Sequence, residues 1–117
     1  MLSIPGGVSI YVHTRPTDLR KSFDGLCGII RNEFGREPLD GSLYLFLNGR
    51  RDRVKLLWWD RDGLAIWYKR LEAGTFESLR ATGEGVEVEI DVTELALLLG
   101  GVSLASAQRR KRYRRVA

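Results

Sequence analysis

Cysteine and histidine occur once each in this sequence, as Cys27 and His13, and that scarcity removes whole classes of chemistry. A single thiol can form no internal disulfide and no multi-thiolate zinc or iron–sulfur site within one chain, so a reducing compartment is expected. A histidine-based metal site or a Ser/His triad would have to pass through His13 alone, and nothing near it in sequence completes one; it reads as an ordinary strand residue. Cys27 falls on an apolar stripe and reads as a small core residue. No apolar run approaches the roughly 20 residues that span a bilayer. The opening Met1-Leu2-Ser3-Ile4-Pro5 has neither the basic region nor the apolar core of a secretory signal. A cytoplasmic protein with no membrane partner is the expectation. No glycine run matches a P-loop or a dinucleotide fingerprint, and Gly83-Glu84-Gly85 lacks the strand-to-helix context, so no cofactor and no metal are expected.

What is present suits one globular domain: 117 residues, 44% of them hydrophobic and 29% charged, can bury a core without staples. The formal charge is +4 with a pI near 9.6, but it is unevenly placed. Arg109, Arg110, Lys111, Arg112, Arg114 and Arg115 supply six of the 19 basic residues, leaving 13 against all 15 acidic ones in residues 1–108, a net of −2. Residues 1–101 are expected to form a single compact α+β domain, and 102–117 a flexible basic tail.

Val8, Ile10 and Val12 alternate with Ser9, Tyr11 and His13, the period of a strand over 8–13. Pro16 then breaks the strand, Thr17 is a good helix N-cap, and Asp18 suits a positive first turn. Leu19, Phe23, Leu26, Cys27, Ile30 and Phe34 form an apolar stripe at helical spacing up to Gly35, which predicts one long helix over about 17–34. Gly25 and Gly28 inside it suggest close approach of another backbone. Leu43–Leu47 is apolar throughout and reads as a central strand. The loop residues Asn48–Asp52 and the turn Asp60–Gly63 divide the rest of 43–71 into an antiparallel meander. On the third strand Val54, Leu56 and Trp58 face a core, and Arg53, Lys55, Leu57 and Trp59 form a basic-aromatic face. A three-residue Asp60–Gly63 connection with Gly63 left-handed would gather Lys55, Trp59, Trp67 and Lys69 on one surface; a two-residue connection would reverse that. An alternating strand near 86–90 and a capping box, Asp91-Val92-Thr93-Glu94, opening a helix over 92–99 complete an antiparallel sheet packed on the long helix.

Catalytic residues are not expected. Asp52, Asp60 and Asp62 admit a minor reading as a metal-dependent nuclease, but two of them flank Arg61 in a turn where aspartate is favoured locally. Binding is better supported. Arg50, Arg51, Arg53, Lys55, Arg61, Lys69 and Arg70 interleave with Trp58, Trp59, Trp67 and Tyr68, cations for phosphates beside rings for stacking, and the terminal basic run adds non-specific attraction to nucleic acid. The competing reading makes the rings core and the charges solvated strand edges.

Two blocks, Pro16-Thr17-Asp18-Leu19-Arg20-Lys21-Ser22-Phe23-Asp24-Gly25-Leu26 and Gly41 through Glu72, with Trp59-Asp60-Arg61-Asp62-Gly63 and Trp67-Tyr68-Lys69-Arg70-Leu71-Glu72 inside the second, resemble the second-open-reading-frame protein of the insertion-sequence-66 family. That is the small TnpB-type accessory protein encoded beside a separate transposase. The resemblance covers residue 8 to about 76. It implies a bacterial, non-enzymatic accessory protein of DNA transposition, with DNA and the transposase of the same element as partners. It also extends the binding set to Arg20 and Lys21. A bridging module that joins transposase subunits or self-associates, without touching DNA, is the alternative; the acidic stretch from Glu72 to Glu94 opposite the basic hairpin motivates it.

Overall fold

The computed structural model describes residues 7–80 and 85–101. Five strands, β1 (Ile10–His13), β2 (Leu43–Leu47), β3 (Arg53–Asp60), β4 (Gly63–Arg70) and β5 (Glu87–Ile90), form one sheet in the order β4-β3-β2-β1-β5. The sheet is mixed, not antiparallel. β1 runs parallel to β2 with Tyr11 beside Tyr44, whereas β1–β5, β2–β3 and β3–β4 are antiparallel. The reason lies in connectivity: the helical segment between β1 and β2 is a crossover, which returns the chain to the same end before β2 begins.

That crossover is shorter than its apolar stripe implies. Helix α1 covers Phe23–Ile29 and continues as a π-helical stretch, Ile30–Phe34, that ends at Gly35 in the left-handed conformation (φ 64°). Residues 17–22 are spent otherwise. The Thr17 N–H donates to the Leu47 carbonyl at 2.8 Å, Lys21 N–H donates to the Asp18 carbonyl in a turn, and the N-cap is Ser22, not Thr17. Leu19 is buried as the stripe predicts, but from a loop, and Phe23 is 42% exposed. Gly25 and Gly28 admit no neighbouring backbone: an added Cβ would meet only the Lys21 side chain at Gly25 and nothing within 4 Å at Gly28.

Both faces of the sheet are covered. Tyr11, Tyr44, Phe46 and Leu57 pack under Leu26, Cys27, Ile30 and Phe34 on the α1 side. Ile10, Val12, Leu43, Leu45, Val54 and Leu56 pack on the other side against Phe76 and against Leu95 and Leu98 of α2 (Val92–Leu99). β2 is thus buried on both faces, as its unbroken apolar run predicts. α2 opens with the expected capping box: Glu94 N–H donates to Asp91 Oδ1 at 2.7 Å and Asp91 N–H to Glu94 Oε1 at 3.1 Å. His13 ends β1 as a buried strand residue, its Nδ1–H donating to the Arg15 carbonyl at 2.8 Å and its ring stacked on Phe34.

The β3–β4 connection has two residues, Arg61 and Asp62, with Asp60 paired to Gly63 and Arg61 at a φ of 58°. A positive φ at the first loop position is what a II′ turn uses to match strand twist. This register overturns the shared surface expected for Lys55, Trp59, Trp67 and Lys69. Lys55 lies opposite Tyr68 and Trp59 opposite Leu64, whereas Trp67 and Lys69 lie opposite Leu56 and Val54 on the far face. Among the described residues no helix is long and apolar enough to cross a membrane. The terminal basic run 109–115 and the tail expected over 102–117 lie outside the described residues.

Because the Cβ site at Gly28 is open, Gly28→Ala should stabilise the fold by about 0.5–1 kcal/mol through helix propensity. Urea unfolding followed by circular dichroism measures it; a loss of stability would restore the close-approach reading.

Candidate nucleic-acid interface

The parallel pair β1–β2 delivers two loops to one end of the sheet, where β3 also starts and β4 also ends. The β1–α1 loop is pinned by the Thr17 N–H to Leu47 carbonyl bond. The β2–β3 loop is organised by Asn48, whose Oδ1 accepts from the Asp52 and Arg53 N–H groups while its Nδ2 donates to Asp52 Oδ1 at 2.6 Å. Arg51 takes a φ of 58° in that loop, and its carbonyl accepts from Phe76 N–H at 2.6 Å; the Asp52 carbonyl accepts from Leu71 N–H at 2.6 Å. Side-chain amide chemistry and backbone ties of this kind hold a loop in one shape.

Between the two loops runs a groove of about 480 Å³ bordered by Asp18, Arg20, Arg50, Asp52, Arg53 and Tyr68. Its two carboxylates are engaged internally. Arg20 grips Asp18 through Nε–H at 3.0 Å and Nη2–H at 2.7 Å, and this hydrogen bonding lowers the Asp18 pKa from 3.8 to about 2. The Asn48 amide is the main cause that lowers the pKa of Asp52. Arg50 and Arg53 also attract Asp52 at longer range, and among the described residues the Arg53 guanidinium donates to the Tyr68 hydroxyl at 3.3 Å. A groove so built keeps cationic donors facing solvent, which suits phosphate oxygens.

Lys55 takes a different role from the one its sequence context suggests. It is 8% exposed, donates from Nζ to the Lys21 carbonyl at 2.8 Å, and lies 4.8 Å from the centroid of the Tyr68 ring. Burial of an ammonium is tolerated because a carbonyl and a ring face replace water. Tyr68, 48% exposed and fixed by Lys55 and Arg53, belongs to the groove; the sequence counts it among the interleaved rings, but the expected three-residue turn sets Trp59 and Trp67, not Tyr68, on the surface of Lys55. The signal was the two-residue turn, which sets Tyr68 across from Lys55.

The remaining expected residues disperse. Lys21 is exposed next to Arg20, Arg51 lines a separate cleft with Arg15 on the other side of Asn48, and Arg70 is paired with Glu72 at 3.0 Å. Trp59 sits beside the far turn, and Trp67 packs half-buried against the α2-side core with Lys69 exposed on the same face. Asp52 stands at the groove end of the β3–β4 hairpin, and Asp60 and Asp62 at its turn, roughly 25 Å away at about 3.3 Å per residue. Those three carboxylates cannot hold one metal, and among the described residues no other three His, Cys, Asp or Glu side chains gather where an ion could sit.

Residues 8–109 match the family described as IS66 Orf2 like protein, TnpB_IS66. Two proteins of Sinorhizobium fredii (strain NBRC 101917 / NGR234) are similar over most of their length. The uncharacterized protein y4hO is 31% identical over 101 residues, covering 85% of this chain and 86% of the relative. The uncharacterized protein y4jC is 29% identical over 119 aligned positions spanning 100% of both chains. No solved structure is significantly similar to the chain.

The Asp18–Arg20 contact has a pH signature. A depressed carboxylate pKa means the contact's contribution to the fold is complete above the ordinary value of 3.8 and is lost as pH falls through about 2. A carboxyl NMR titration should place the Asp18 midpoint near the lower value, and Arg20→Ala should return it towards the upper one; an unmoved midpoint would show that Arg20 does not set it.

Proposed function

The chain belongs to the family of IS66 Orf2-like insertion-sequence proteins, and from that premise we propose that it is a non-catalytic accessory protein of transposition that binds DNA at the groove end of its sheet. The observation that carries this reading is the pair Arg50 and Arg53 at the mouth of a groove whose carboxylates, Asp18 and Asp52, already have partners within the chain. Arg20 and Lys21 flank that mouth, Tyr68 offers a ring beside it, and the basic run from Arg109 to Arg115 supplies attraction without sequence preference. The strand transfer chemistry falls to the transposase. In this chain the three candidate carboxylates of a nuclease are split between the two ends of one hairpin.

A second reading, in which the protein bridges transposase subunits, draws on a different feature. Glu89 and Asp91 are exposed near the β5 edge of the sheet, across the molecule from the basic end. Opposed charge of this kind suits protein contacts.

Fluorescence anisotropy with transposon-end DNA, titrated against salt, tests the first reading. Affinity should fall steeply with ionic strength. Arg50→Ala and Arg53→Ala should each reduce the log–log salt slope by about one, and deletion of 109–117 should flatten it further. Lys55→Met should leave the slope unchanged, because its ammonium is committed inside the fold. Absence of DNA binding at low salt, with co-purification of the transposase, would transfer the role to the bridging reading.

A further inference from the structure

The two edges of the sheet are treated differently. An edge strand exposes a row of unpaired N–H and C=O groups, which proteins blunt with short length, proline, bulges or charges along the strand. β5 is blunted: it has four residues, Glu87 and Glu89 alternate along it, and Glu87 binds Arg36 at 3.1 Å. β4 lacks most of these devices, its only charges being Lys69 and Arg70 at its last two positions. It runs unbroken against β3 for eight residues, with neither proline nor bulge, and Leu64–Tyr68 carries no charge. Leu64, Ile66 and Trp67 are only half-buried, Leu64 and Ile66 towards the α1 side and Trp67 towards the α2 side. Charge is confined to the ends, with Asp60-Arg61-Asp62 at the turn and Lys69-Arg70 at the other end.

The two-residue turn also fixes which backbone groups are free. Residues flanking such a turn form a hydrogen-bonded pair, and bonded pairs then alternate along the hairpin. The Leu71 N–H to Asp52 carbonyl bond agrees with that alternation counted from Asp60 and Gly63. Leu64, Ile66, Tyr68 and Arg70 therefore direct their N–H and C=O groups outward, and any added strand must set its own outward residues opposite them.

We propose that the chain forms a symmetric dimer in which two β4 strands pair antiparallel about a two-fold axis at Ile66. In this register Ile66 faces Ile66 of the other copy, Leu64 faces Tyr68, and Asp62 comes beside Arg70, so that outward groups meet outward groups along the strand. The neighbouring registers that keep this parity are worse. A shift one way sets Arg61 against Lys69, and a shift the other way sets Asp62 against Glu72. A second copy fits better than a foreign strand because the net-acidic turn and the net-basic end of β4 complement each other, and the two-fold satisfies both ends at once. The contact is isologous and closes at two copies.

Sedimentation of the full chain over a concentration series tests this. The wild type should sediment as a dimer, and Asp62→Arg and Arg70→Asp should each weaken it about tenfold or more, since the symmetry loses two ion pairs per dimer. The combined Asp62→Arg/Arg70→Asp variant should recover the dimer. Ile66→Pro should give a folded monomer, because the Ile66 N–H takes no part in the pairing with β3; circular dichroism checks the fold. If that variant misfolds, the charge exchange at exposed positions still decides the matter. A wild type that stays monomeric at its highest soluble concentration, a dimer indifferent to all these changes, or single variants that weaken it with no recovery in the double would each overturn the proposal.

Discussion

The parallel pairing of β1 with β2 is the constraint on which the rest of this structure depends. Two parallel neighbours require a crossover, and the crossover lays α1 on one face of the sheet. With α1 there, Tyr44 and Phe46 bury towards it while Leu43, Leu45 and Leu47 bury towards Phe76 and α2. The same pairing brings the ends of β1 and β2 together, so the loops that follow them face each other across a groove. Neither loop could form that groove alone. The Thr17 to Leu47 hydrogen bond is the tie between the crossover and the central strand that sets their separation.

Charge in the groove is organised by internal neutralisation more than by number. The body of the chain carries more acid than base, yet the groove presents guanidinium groups because its carboxylates have been given partners. Asp18 has Arg20 and Asp52 has the amide of Asn48. Lys55 shows the opposite case, a cation withdrawn from the surface. Its ammonium joins β3 to the start of α1 through the Lys21 carbonyl and supports the Tyr68 ring. A hydrophobic replacement there would lose the tie to α1, whereas a surface lysine would lose nothing of the kind.

Much of this was legible in the residues. The apolar run Leu43–Leu47, the alternation at β1 and β5, the hairpin loops and the capping box at Asp91 each rest on local chemistry: periodicity, turn residues and side-chain acceptors. The stripe from Leu19 to Phe34 marked what would be buried except at Phe23, which is exposed, but helical spacing of apolar residues does not require helix where a tertiary bond competes. Thr17–Ser22 bond to β2 and to each other instead, and the helix starts at Phe23. The parallel direction of β1 against β2 left no trace in composition, since strand patterning is the same for both directions when both faces are buried.

The sequence by itself determined the class of the protein, the positions of its five strands, the family to which it belongs, and the cations from which a binding surface is proposed. Only the tertiary structure decided which of those cations border one groove. One residue more or less in the Asp60–Gly63 turn transfers every side chain of β4 to the other face, because strand side chains alternate with a period of two. With two residues in the loop, Tyr68 joined Arg53 and Lys55, and Trp67 and Lys69 left them. Register depends on turn geometry and on the fit of two buried faces at once, and neither is carried by any single stretch of the chain.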